Sequence, residues 1–91
     1  MLFRSGRFSG IIALGAVIKG ETAHFDYVCN SAAAGLSTVS LEMEMPVLFG
    51  VLTTDTFEQA MARAGGKLGN KGSECAEALL SLLSLFKQLE L

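Results

Sequence analysis

Residues 10–18 read Gly-Ile-Ile-Ala-Leu-Gly-Ala-Val-Ile, an apolar run with no alternation of polar and apolar side chains. Residues 46–53 read Pro-Val-Leu-Phe-Gly-Val-Leu-Thr and have the same character. Runs of this length and composition are typical of strands that are covered on both faces, as in parallel sheets. We therefore predict two adjacent parallel strands, over Ile11–Ile18 and Val47–Leu52.

Between these runs, from about Thr22 to Met43, apolar residues recur at spacings of three and four. This periodicity predicts a helix with one apolar face. The face consists of Phe25, Val28, Ala32, Leu36, Val39 and Met43. Pro46 biases Met45 toward extended backbone, so the helix should end before them. Strand, helix and strand together predict a βαβ unit.

The remainder of the chain predicts two more helices. Asp55 and Glu58 have capping-box spacing, so a second helix should start near Asp55 and end at the glycines 65 and 66. After a loop over 67–72, a third helix should run to about Leu89. Its apolar stripe consists of Cys75, Leu79, Leu82, Phe86 and Leu89, widened by Leu80 and Leu83. The 91 residues thus predict a single partial α/β domain, with a β-α-β-α-α order around a parallel sheet.

Composition excludes some classes of function and indicates that other chains or further strands cover part of the apolar surface. Net charge is −2 and the seven basic residues form no stripe, which disfavours nucleic-acid binding. Two isolated cysteines and one histidine show no metal-ligand spacing and indicate reduced, packed thiols in a cytoplasmic protein. The apolar run after Arg7 is too short to span a bilayer. Because 51% of residues are hydrophobic and two strands rarely form a stable sheet, we expect partner subunits or further strands to cover this surface.

Polar residues follow the first predicted strand, at the edge where parallel sheets bind ligands. Glu21 and Thr22 lie where the next helix begins, and His24 falls in its first turn. Backbone N–H groups at a helix start favour an anion such as phosphate. Histidine exchanges a proton near neutral pH, as general acid–base catalysis requires. From spacing alone, a surface histidine near a helix start is the favoured interpretation of His24, and catalysis is the alternative.

Cations cluster at the end of the second predicted helix. Arg63 ends it, and Lys67 and Lys71 follow in the glycine-rich loop. A planar guanidinium suits bidentate recognition of phosphate. Cations that complement a helix dipole are the simpler interpretation. Phe49, in the middle of the second strand, is by default a core residue.

Several long motifs nevertheless resemble one family, in order and in spacing. Residues 12–28, which contain Lys-Gly-Glu-Thr-Ala-His, are similar to the motif around the catalytic histidine of lumazine synthases. Residues 49–54, 58–60 and 63–72 match later motifs of that family, so that the resemblance runs from about Ser5 to the C-terminus. It implies a three-layer, flavodoxin-like parallel sheet. The family condenses 5-amino-6-(D-ribitylamino)uracil with 3,4-dihydroxy-2-butanone 4-phosphate through an imine, phosphate elimination and ring closure, without a metal or organic cofactor.

The resemblance implies a role for each candidate residue. His24 would transfer protons, and Glu21 and Thr22 would contact the butanone phosphate. Ala16, Val17 and Ile18 would line the pyrimidine pocket. Phe49 and Arg63 would face a neighbouring subunit's site, Arg63 gripping phosphate and Phe49 flanking the pyrimidine. The expected assembly is a pentamer. The uninterrupted connection over 65–70 resembles that of members whose pentamers pack further into an icosahedral shell, and the alternative interpretation is that its glycines simply end one helix and begin another. Riboflavin synthase is a further expected partner.

Two functions from different classes therefore remain. Family members begin with further strands and helices, which carry a stacking aromatic and a ribityl-binding motif that these residues lack. The chain is then an enzyme of this family in incomplete form, or a catalytically incompetent remnant that only self-associates. A flavodoxin-like flavin-binding module shares the fold class, but no feature of the sequence requires it.

Overall fold

The computed structural model describes residues 6–89; residues 1–5 and 90–91 of the predicted domain lie outside them. The elements in chain order are β1 (Ile11–Ile18), α1 (His24–Met43), β2 (Val47–Thr54), α2 (Phe57–Arg63), β3 (Ala64–Gly66), β4 (Gly69–Asn70) and α3 (Lys71–Gln88). The α/β class and the alternation of its main elements are as predicted.

β1 and β2 form a two-stranded parallel sheet, in register from Ile11 opposite Val47 to Ile18 opposite Thr54. Both predicted strands are confirmed, and β2 extends two residues beyond Leu52. β2 extends because the backbone N–H and C=O groups at the end of β1, and of Lys19 after it, need hydrogen-bond partners as far as Thr54. The N–H of Lys19 donates to the carbonyl of Thr54 at 2.8 Å.

α1 shows the predicted apolar face, since all six of its members are half-buried. Tyr27 and Leu41, which lie off that face, are 74% and 80% exposed. The helix ends before Pro46, as predicted, and Ser40 fixes the corner that follows. Its hydroxyl donates to the carbonyl of Met45 at 2.7 Å, and its own carbonyl accepts the N–H of Met45 at 3.2 Å.

α2 is capped by a different pair from the one that the sequence predicted. The Thr56 hydroxyl accepts the N–H of Gln59 at 3.1 Å, and the Gln59 side chain accepts the N–H of Thr56 at 3.2 Å. The predicted capping box of Asp55 and Glu58 is therefore wrong. Because β2 remains paired through Thr54, the chain enters the helix one residue later than its spacing suggested.

The connection from α2 to α3, predicted as a loop, contains a short antiparallel hairpin of β3 and β4. Gly65 and Gly69 have φ values of +107° and +100°, which side-chain-bearing residues rarely adopt. α2 consequently ends at Arg63 rather than at the two glycines. The hairpin returns the chain beside α2, and α3 starts directly from β4.

The sheet lies between helices, in the three-layer order expected of this fold class. Phe49 and Val47 line a groove together with Leu36 of α1, so odd-numbered positions of β2 face α1. A Cβ at Gly50 would lie 3.3 Å from the Sγ of Cys75, so even-numbered positions face α3. Of the predicted α3 stripe, Leu80 and Leu89 are 68% and 57% exposed. These two members of the stripe are therefore largely uncovered by the sheet within this chain.

Little apolar surface is deeply covered. Among the apolar side chains of residues 6–89, Ala60 and Cys75 alone are buried. Leu14 in the middle of β1 is 67% exposed, although it lies in a strand whose sequence is typical of full coverage. The radius of gyration is 14.9 Å, against about 12 Å for a compact domain of this length. The fold therefore presents apolar faces and two open sheet edges.

Candidate functional site

The carboxyl ends of β1 and β2 lie side by side and define the candidate site. Ile18 is paired with Thr54, and the Lys19 N–H continues the ladder by one bond. The segments that leave this edge are 19–23, which leads into α1, and 55–56, which leads into α2. In an open parallel sheet, ligands bind in the crevice beyond this edge.

Glu21, Thr22 and His24 lie together on the segment that enters α1, and all three are exposed. Thr22 holds this entry, because its Oγ1 accepts the N–H of His24 at 3.3 Å. The helix starts two residues later than the predicted Thr22, and its N-cap Ala23 contributes no side-chain hydrogen bond. The imidazole thus lies on the solvent side of the first turn, where a bound ligand can reach it.

Ala16, Val17 and Ile18 occupy the last three positions of β1, directly before this segment. Successive side chains of a strand point to opposite faces. Ala16 and Ile18 therefore share the α3 face and are exposed, whereas Val17 is half-buried on the α1 face. Their backbone lies at the edge of the candidate site, but their side chains do not form one wall.

Phe49 lies apart from His24 within the chain. It is paired with Ala13, and Thr54 follows five residues later, which places Phe49 about 17 Å back from the carboxyl edge at roughly 3.3 Å per residue. Its side chain lines a groove of about 450 Å³ along α1, with the open edge of β2 beside it. One chain does not bring Phe49 and His24 into a single pocket.

Arg63 lines a second groove of about 480 Å³, beyond the carboxyl end of β2. Its guanidinium forms a two-pronged ion pair with Glu74 of α3, Nη1 to Oε2 at 2.9 Å and Nη2 to Oε1 at 3.0 Å. Nη1 also donates to the carbonyl of Leu68. The side chains of Arg63 and Glu74 are 32% and 48% exposed, so the pair remains accessible to a ligand.

The ion pair shifts both partners in the expected directions. The hydrogen bond from Arg63 lowers the pKa of the Glu74 carboxyl below its ordinary value, and the charge of Lys71 acts in the same sense. The hydrogen bond to Glu74 raises the pKa of Arg63. Both groups are therefore charged throughout the physiological range.

Glu74 is the residue that sequence reasoning missed. It lies 11 positions beyond Arg63, and its one local signal is an acidic residue in the first turn of α3, which is common in any helix. Among residues 6–89 there is no group of three or more His, Cys, Asp or Glu side chains that could hold a metal ion. No helix in this part of the chain is long and apolar enough to cross a membrane.

Comparison with known proteins gives one consistent result. The family model of 6,7-dimethyl-8-ribityllumazine synthase matches residues 1–87, which include every candidate residue. A protein of Lactiplantibacillus plantarum named 6,7-dimethyl-8-ribityllumazine synthase is 62% identical over 79 residues. Those residues are 87% of this chain and 50% of that relative, so the chain spans about half the relative's length.

Proposed function

We propose that this chain, which belongs to the 6,7-dimethyl-8-ribityllumazine synthase family, catalyses the reaction for which that family is named. The proposed substrates are 5-amino-6-(D-ribitylamino)uracil and 3,4-dihydroxy-2-butanone 4-phosphate. The observation that carries the proposal is the family match across residues 1–87, supported by 62% identity to a relative with this name. A remnant that only self-associates is the alternative, and no feature of the site favours it.

The carboxyl edge of the sheet supports a division of labour among the polar residues. Thr22 orders the entry into α1 and places Glu21 and His24 on the same short segment. We assign to Glu21 and Thr22 the binding of the phosphate-bearing ketone, near the N-terminal dipole of a 20-residue helix. We assign proton transfer to the imidazole of His24 during imine formation and phosphate loss.

The separation of Phe49 from His24 supports a site shared between copies of the chain. Phe49 lies beside the open edge of β2, and Arg63 lines a groove of its own. Side chains placed this way can complete the pocket of a neighbouring copy, with Arg63 binding phosphate and Phe49 flanking the pyrimidine. Ala16, Val17 and Ile18 would then line the pyrimidine subsite of the chain's own pocket.

The test of the function is the condensation assay with His24→Ala. We expect the variant to be roughly 10- to 10⁴-fold slower, as for loss of a general acid–base group. Asn30→Ala, an exposed polar change on the same helix, is the matched control and should retain the wild-type rate. Unchanged turnover in His24→Ala would remove this residue from the mechanism. A wild-type rate equal to that of the uncatalysed reaction would refute the proposed function itself.

Assembly is part of the same proposal. The open edges of the sheet, the exposed Leu14 and the large radius of gyration support a homo-oligomer. We propose a pentamer that packs into an icosahedral shell, since the hairpin over 64–70 is short and sets the direction of α3. Sedimentation should show a large homogeneous particle. A monomer would overturn the assembly, whereas an isolated pentamer would overturn only the shell.

Two further expectations stay predictions. Riboflavin synthase as a partner follows from the family resemblance, and a pull-down with the assembled protein would test it. A cytoplasmic location follows from the reduced cysteines, of which Cys75 is buried and Cys29 half-buried, both without a disulfide. Cell fractionation would test that location.

A further inference from the structure

Two of the three edges of the Arg63 guanidinium form hydrogen bonds within residues 6–89, and the third edge forms none. Arginine carries five N–H donors in a rigid planar fork. Glu74 takes one hydrogen from each Nη, which occupies the end of the fork. The Leu68 carbonyl takes the remaining Nη1 hydrogen, on the side of Cδ. No hydrogen bond within residues 6–89 uses Nε–H or the outer Nη2–H, which together form a second, side-on fork.

The charges around this fork cancel, so the direction of the Arg63 N–H donors, rather than the net charge, decides which anion binds here. Three cations and three carboxylates lie in the groove or at the start of α3 beside it. They are Arg63, Lys67, Lys71, Asp55, Glu58 and Glu74. A neutral cluster does not attract phosphate strongly from a distance. Recognition of an anion here depends on parallel N–H donors held at a fixed orientation.

We propose that Glu74 is a positioning residue, which holds Arg63 so that its Nε–Nη2 edge receives the phosphate of the substrate. The inference rests on the proposed function for the identity of that substrate. Glu74 does not have to leave, since it occupies a different edge of the fork. Its carboxylate removes the rotational freedom that Arg63 would otherwise lose on binding phosphate, and this pre-organisation strengthens binding.

The opposite role makes the opposite prediction, which allows a decisive test. If Glu74 were a competitor of phosphate for Arg63, its removal would tighten phosphate binding. The probe is inorganic phosphate, whose affinity for the assembled protein is measured by calorimetry. The steady-state KM values of both substrates are measured in parallel. Glu74→Ala removes the clamp, and the isosteric Glu74→Gln retains one accepting oxygen.

We expect Glu74→Ala to weaken phosphate binding, and to raise the KM for the phosphate-bearing ketone, by roughly 2- to 10-fold. Glu74→Gln should fall between Glu74→Ala and the wild type, and the KM for the pyrimidine should not change in either variant. Glu77→Ala removes the same charge from an exposed position of α3 and should leave phosphate affinity unchanged. The KM split and the partial rescue distinguish positioning from a general structural defect.

Each other outcome has a definite meaning. Equal or tighter phosphate binding in Glu74→Ala would overturn the positioning role, and so would an equal loss in Glu77→Ala or a wild type that binds no phosphate. A wild type without synthase activity, whose phosphate affinity still falls in Glu74→Ala, would refute the proposed function and leave the role of Glu74 standing.

Discussion

Gly50 in β2 is the position at which one added methyl group should be most costly to the sheet. A Cβ built there would lie 2.8 Å from the Cδ2 of Leu14, 2.9 Å from the carbonyl oxygen of Ala13 and 3.3 Å from the Sγ of Cys75. Favourable contacts between carbon atoms lie at about 3.5–4.0 Å. Leu14 is exposed and can rotate away, but the Ala13 carbonyl belongs to the neighbouring strand and Cys75 is buried.

Gly50→Ala should therefore push β1 from β2 or lift α3 from the sheet. Overpacking by one methyl group in a packed site costs about 1–3 kcal/mol. Gly15→Ala is the matched control, since its Cβ would meet only the methyl groups of Val51, at 3.9 Å. Both changes restrict the unfolded chain equally, which is worth about 0.4–1 kcal/mol in each. The difference between the two variants therefore isolates the clash in the folded state.

The assay is urea unfolding of the assembled protein at one fixed concentration, followed by circular dichroism. We expect Gly15→Ala to match or slightly exceed the wild type in its urea midpoint. The free energy of unfolding of Gly50→Ala should be lower than that of Gly15→Ala by about 1–3 kcal/mol. Midpoints of both variants at or above that of the wild type would refute the close approach of Ala13 and Cys75 to Gly50. A loss in Gly15→Ala as large as that in Gly50→Ala would show that any methyl group harms this sheet.

Three further predictions concern α2 and its ion pair. Thr56→Ala should lower the free energy of unfolding by about 0.5–2 kcal/mol through loss of the N-cap. The control Thr38→Ala changes an exposed position of α1 and should not alter that free energy measurably. Equal effects of the two changes in urea unfolding would contradict the observed cap. Arg63→Lys should raise the KM for the phosphate-bearing ketone by roughly 10- to 100-fold, because an ammonium lacks the planar fork. A change in the KM for the pyrimidine alone would refute the assignment of Arg63 to phosphate binding. The pKa of Glu74 is lowered, so its stabilising effect should be complete above the ordinary value of 4.5 and lost as pH falls through the lower folded value. Unfolding curves of the wild type and Glu74→Gln should accordingly differ above pH 4.5 and converge in acid, and a constant difference would contradict the pair.

The sequence alone determined the elements whose signal is periodic and local. The apolar runs predicted β1 and β2, and spacings of three and four predicted α1 and its buried face, because side-chain burial follows the repeat of the backbone itself. The carboxyl-edge location of Glu21, Thr22 and His24 followed from the same elements, since parallel strands end on one side. These features need no knowledge of which distant residues meet.

The tertiary structure decided the features that depend on how separated segments meet. Pairing of β1 with β2 through Ile18 and Thr54 carries the strand past its predicted end, and this extension gives the cap of α2 to Thr56 instead of Asp55. The β3–β4 hairpin turns α3 back toward α2, and this turn brings Glu74 onto Arg63. Strand register and hairpin direction are set by hydrogen bonds between segments, and no spacing within one segment encodes them.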